Sequence, residues 1–225
     1  MGMNRFTRRQ GEESLVQIPT GRVTLEGNLE MPEGAQGIVV FAHGSGSSRH
    51  SPRNRYVAQV LREAGLATLL MDLLTPEEEV ADAQLRHLRF DIPLLAERLR
   101  GVTDWLVKAP ATQSLKIGYF GASTGAAAAL VAAAQRPNAI GAVVSRGGRP
   151  DLAGPDLPRV QAPTLLIVGG NDSLVLDLNR EALQRLQGEK KLEILPGATH
   201  LFEEPGALEE VARLATRWFV RHLTA

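Results

Sequence analysis

Apolar residues change their rhythm along this chain. Over residues 14–18 and 22–31 they alternate with polar ones, and Val23, Leu25 and Leu29 fall largely on one face beyond a Thr20-Gly21 turn, which predicts two antiparallel strands. At Gly37-Ile38-Val39-Val40-Phe41-Ala42 the alternation gives way to an unbroken apolar run, the form expected of a parallel strand buried on both faces. From there, short apolar runs and helix-period segments take turns to the end of the chain. Residues 66–70, 115–120, 140–144, 163–168 and 192–195 read as strands. Residues 56–64, 94–107, 123–135, 175–186 and 208–222 read as helices, the first opened by Ser51 as cap and Pro52 at its first position, the second closed off by Pro110. The polar stretch 75–89, with three consecutive glutamates, stands outside the alternation.

Strands and helices alternating at this spacing predict an α/β fold, a mostly parallel sheet with helices on both faces. In such sheets the ligand crevice lies at the carboxyl ends of the strands. No internal repeat, low-complexity tract or long linker divides the chain, so residues 1–225 are expected to form one domain with 75–89 as its minimal cap. Twenty-five acidic residues balance twenty-five basic ones, which leaves no basic excess to suggest nucleic acid. The absence of cysteine removes disulfides, thiolate metal sites and a cysteine nucleophile, and fits a reducing compartment. The first ten residues carry charge without a following apolar core, unlike a secretory signal, and no run approaches the ~20 apolar residues of a membrane span. The expectation is a soluble cytoplasmic protein, monomer or homodimer, without membrane, nucleic acid, cofactor or metal.

Candidate chemistry sits behind the strand at 115–120, where Gly121-Ala122-Ser123-Thr124-Gly125 forms a G-x-S-x-G pentapeptide followed at once by an alanine-rich helix. A turn this sharp strains the serine backbone and leaves no room for side chains two residues to either side, so glycine is needed at 121 and 125. A serine hydroxyl needs a base in reach, oriented by a carboxylate. Of five histidines only His200 and His222 follow Ser123, and His200 lies in a loop behind the strand at 192–195, whereas His222 reads as a cation at a helix C-terminus. Asp172, in the loop Gly169-Gly170-Asn171-Asp172-Ser173, is the expected acid and could also cap the next helix; Asp151 is the alternative. The oxyanion would be met by the backbone N–H of Thr124 and of Ser45, the latter in the His43-Gly44-Ser45-Gly46 loop that His43 is expected to brace.

With Ser123, Asp172 and His200 in order behind successive strands and the His43 loop behind an earlier one, the chain resembles the α/β-hydrolase superfamily over nearly its whole length. Its small cap is similar to the dienelactone hydrolase-like branch. The resemblance implies hydrolysis of a small ester, thioester or lactone through an acyl-enzyme, although dienelactone hydrolases proper carry cysteine where this chain has Ser123, so their substrate does not transfer. Arg146 and Arg149 behind the strand at 140–144, and His50 and Arg53 beside the oxyanion loop, are candidate contacts for an anionic group; ion pairs or a solvated basic loop would be the structural alternative. A non-catalytic binding or scaffolding protein of the same fold is the competing reading. Nucleotide binding through Gly44-Ser45-Gly46 is weaker, since Arg49 stands where the third glycine belongs.

Overall fold

A computed structural model describes residues 13–224, so the reading of the first ten residues lies outside the described residues. Among the described residues eight strands form one sheet: β1 (Ser14–Thr20), β2 (Val23–Glu30), β3 (Gly37–Ala42), β4 (Ala67–Met71), β5 (Lys116–Ala122), β6 (Ile140–Arg146), β7 (Thr164–Gly169) and β8 (Lys190–Leu195). Their order is β1-β2-β4-β3-β5-β6-β7-β8. The β1/β2 and β2/β4 pairings are antiparallel and all others parallel, so the alternating N-terminal hairpin is an edge added to a parallel core. β3 explains its own sequence. Val39 and Phe41 pack on one side of the sheet and Ile38, Val40 and Ala42 on the other, which leaves no solvent face on which a polar residue could sit.

Among the described residues there are six α-helices, α1 (Pro52–Glu63), α2 (Pro76–Leu85), α3 (Ile92–Leu106), α4 (Thr124–Gln135), α5 (Ser173–Arg185) and α6 (Ala207–Leu223). Helices α1 and α6 share the layer built on Val57, Leu61, Val211 and Phe219, while α3 and α4 pack on the opposite face through Leu99, Val102 and the α4 alanines. Every residue of α4 from Thr124 to Ala134 is buried. Side chains this small let the helix lie close against β3 and β5. A Cβ at Gly125 would stand 2.3 Å from Ala42 O.

Two segments differ from the sequence reading. The stretch 75–89 holds a real helix, α2, opened by a capping box in which the Thr75 hydroxyl accepts from Glu78 N–H and the Glu78 carboxylate accepts from Thr75 N–H. It buries only Asp82, so no apolar period marked it. The loop behind β6 contains 3₁₀ turns over Pro150–Arg159, kinked at Gly154 (φ 48°) and interrupted by Pro155 and Pro158, residues that deny it a continuous α-helical ladder. Among the described residues no helix is long and apolar enough to cross a membrane.

Candidate active site

Ser123 is the single residue between β5 and α4, and its φ of 50° and ψ of −121° lie in a region that non-glycine residues rarely occupy. The strain is held from several sides. Ser123 N–H donates to Arg146 O (3.3 Å), while Ser123 O accepts from Ala126 N–H and Arg149 N–H, both at 3.1 Å. Glycine is obligatory at both flanks, since a Cβ at Gly121 would lie 2.4 Å from Ala126 Cα and one at Gly125 would strike the β3 carbonyl. The hydroxyl of Ser123 has no hydrogen-bond partner among the described residues. Ser123 occupies the cap position of α4, whose initial N–H groups have no partners within the helix.

Behind β7 and β8 the Asp172 and His200 loops are joined backbone to backbone. Gly170 N–H donates to Leu195 O (2.8 Å), Asn171 N–H to Ala198 O (2.9 Å) and the Asn171 side chain to Gly197 O (3.0 Å). A Cβ at Gly169 would lie 2.4 Å from Ala198 O, so the two loops need glycine there to close. His200 Nδ1–H donates to Asp172 Oδ2 at 2.6 Å, with the imidazole 40% exposed and the carboxylate 16%. Asp172 stands at the cap position of α5, yet its side chain makes no capping bond; of the two roles expected from the sequence it fills only the pairing with histidine. Asp151 is committed elsewhere. Its two oxygens accept from Arg149 Nε and Nη2 at 2.8 and 2.7 Å.

The loop behind β3 is pinned from below. Leu73 N–H donates to His43 Nε2 (3.1 Å), which fixes the tautomer, so Nδ1–H donates to Gly44 O (3.0 Å) and the buried imidazole is a brace. A Cβ at Gly44 would approach Ser123 Cβ to 3.0 Å, which shows how near the loop passes to the serine. Ser45 N–H donates to Thr124 Oγ1 at 2.9 Å. The following residues are a solvated basic loop only in part, since His50 and Arg55 are exposed but Arg49 is not. Arg49 turns inward onto Asp72, Glu26 (2.7 Å) and Asn28 (3.0 Å), tying the loop to β2 and the end of β4. His50 stays exposed on an open groove of about 610 Å³ shared with Ser48, Pro52, Glu79 and Arg89.

The four candidate anion contacts fare differently. Arg149 is paired with Asp151, and Arg53 with the exposed Glu203 at 3.0 Å. Arg146 is 8% exposed, has no acidic partner among the described residues, and leaves its Nε buried without an acceptor. Its guanidinium lies 5.9 Å from the ring centroid of Phe202, two residues beyond His200. Burial, and then the nearby Arg53, pushes it down to about 10, so it remains a cation at neutral pH. Phe202 escaped the sequence reading. It is fully buried at φ 57° and anchors the histidine loop in the core, a role that only the proximity of an aromatic to His200 hinted at. His222 packs on Trp218 at 4.8 Å, and burial disfavours its cation despite Glu189 at 3.8 Å, so it is not the simple helix-end charge expected.

Residues 25–223 match the model of the dienelactone hydrolase family. A crystal structure of a dienelactone hydrolase from Anabaena variabilis is 65% identical, covers 96% of this chain and all of its own, and superposes with a TM-score of 0.94. Est1E from Butyrivibrio proteoclasticus is 17% identical over 92% of this chain and 98% of its own, with a TM-score of 0.77, a likeness of fold alone. A protein of Mycobacterium tuberculosis named a putative phosphoribosyl transferase is 63% identical over 208 residues, 92% of this chain but 46% of that protein. The chain thus spans about half the length of the curated relatives it matches. On its fold, its sheet order and a family match that runs from β2 to the end of α6, the chain belongs to the dienelactone hydrolase family.

Proposed function

We propose that this chain is a serine hydrolase that cleaves a small ester, thioester or lactone through an acyl-enzyme. The observation that carries the reading is the strained Ser123 elbow at the carboxyl end of β5, with the Asp172–His200 pair behind β7 and β8 at the same edge of the sheet. In the acylation step Ser123 Oγ bonds to the carbonyl carbon, the π pair moves onto the carbonyl oxygen, and the hydroxyl proton passes to His200 Nε2. Collapse of the tetrahedral adduct breaks the bond to the leaving group, which takes that proton; water then repeats the sequence on the acyl-enzyme. Asp172 holds Nδ1–H, keeping Nε2 free to accept, and stabilises the imidazolium as it forms.

Arg146, as a buried cation without a counter-ion beside the histidine loop, favours a substrate with an anionic group, which would give the guanidinium the partner it lacks. Arg53, His50 and Arg149 are secondary candidates, two of them already ion-paired. The name phosphoribosyl transferase belongs to proteins about twice as long as the part matched here, and the hydrolase reading is made for this part. A fluorophosphonate probe tests it: wild type is expected to be labelled on Ser123 and to hydrolyse p-nitrophenyl acetate, and Ser123→Ala to do neither while keeping its circular dichroism. An unlabelled wild type would instead favour a binding or scaffolding role.

A further inference from the structure

An amide has one proton to give, and that of Ser45 is already directed at a side chain. It donates at 2.9 Å to Thr124 Oγ1, on the residue that follows the nucleophile. The loop that carries Ser45 is not free to turn away, because Gly44 O accepts from both His43 Nδ1–H and Ser47 N–H (3.1 Å) and Gly44 packs against Ser123. Thr124 itself is 5% exposed and opens α4, where its backbone N–H has no acceptor within the helix. A hydroxyl that accepts from an N–H turns its own proton away from that donor, and accepting the bond makes it a better donor in turn.

We infer that Thr124 supplies both donors to the oxyanion, its backbone N–H and its side-chain hydroxyl, and that Ser45 acts through the hydroxyl by orienting it. Resting on the serine-hydrolase reading above, the assignment concerns hydrogen bonds only; no proton leaves Thr124. It makes Thr124 a catalytic residue and Ser45 N–H a positioning group, and it gives a reason for a hydroxyl residue immediately after the serine.

The test compares wild type with Thr124→Val, which keeps the shape and loses the hydroxyl, Thr124→Ser, which keeps the hydroxyl, and Thr124→Ala as a second deletion in case valine disturbs the elbow. For each variant, kcat and KM on p-nitrophenyl acetate and the inhibition constant of a trifluoromethyl ketone, whose hemiketal mimics the tetrahedral adduct, are measured beside Tm. The expected result is a loss of about 100-fold in kcat for Val and Ala with little change in KM, a parallel loss of ketone affinity, and recovery to near wild type in Ser. Unchanged or faster turnover in Thr124→Val would overturn the inference, the hydroxyl then being a bystander or a plug. A fall in kcat with undiminished ketone affinity would also overturn it, leaving the hydroxyl as a tie for the loop. A wild type without Ser123-dependent turnover would remove the hydrolase reading and the inference together, whereas the other outcomes remove the inference alone.

Discussion

A single aspartate shows what sequence can and cannot decide. Asp172 stands where a turn former, a helix cap and a triad acid would all stand; in space its carboxylate meets His200 across the joined loops and makes no capping bond. Asp172→Asn is therefore expected to lower kcat by orders of magnitude, because the amide no longer demands Nδ1–H, while Asp151→Asn costs little turnover since its partner is Arg149. Steady-state kinetics on the two variants checks the ranking. The place of Arg146 at the carboxyl end of a strand was legible, but nothing in a sequence announces that a guanidinium will be buried without an acid. Since burial lowers its proton affinity in the folded chain, the cation present there at neutral pH is held at a cost relative to the unfolded chain, and that cost is fully present at every pH below about 10. Replacing it by Met, of similar reach and no charge, is expected to stabilise the protein by about 1–3 kcal/mol and raise Tm in thermal melts. The same variant should lose any preference for carboxylate-bearing over neutral esters of equal size, the signature of a charge kept for binding at the expense of stability.

Among the elements, those buried on both faces were read most faithfully. β3 has no polar side, so its run is continuous, and α4 is so closely packed that seven of its twelve residues are alanine. The helix α2 was invisible as a helix because it buries a lone aspartate and is held by polar ties, its capping box and the Glu78–Arg98 pair at 2.7 Å to α3. Binary patterning has no access to a helix of that kind. Close packing at α4 yields a sharp expectation. Gly125→Ala places a methyl 2.3 Å from Ala42 O and 2.4 Å from His43 O, both backbone atoms, so the helix must retreat from β3. The cost is expected at about 1–3 kcal/mol or above, read from the urea midpoint, together with loss of turnover as Ser123 shifts. Wild-type stability in that variant would mean that the helix can slide without penalty.

Across the whole molecule the parallel core brings the loops behind β3, β5, β6, β7 and β8 to one edge, and the hairpin β1/β2 extends the sheet at its far side. That arrangement followed from strand–helix alternation alone, because parallel strands joined by crossovers cannot put their carboxyl ends anywhere else. The α2 residue Glu79 and Arg89 of the 3₁₀ turn Leu88–Phe90 line the groove beside His50 at this edge, and that groove is open, so p-nitrophenyl acetate should exceed long-chain esters in kcat/KM. A preference for palmitate would show that the cover is more extensive than these segments. The joined Asp172 and His200 loops carry one more consequence. They hang from β7 and β8, and β8 is the outermost strand, with five of its six residues partly or fully exposed, whereas Ser123 is anchored at the sheet's centre. Opening of that rim would carry Asp172 and His200 off together as one unit and leave Ser123 seated in an intact core. Hydrogen exchange should then find the amides of β8 opening at lower free energy than those of β5, and in rising urea hydrolysis should fade before the central sheet melts. The fraction of working enzyme is in that case set by the rim of the sheet rather than by global unfolding.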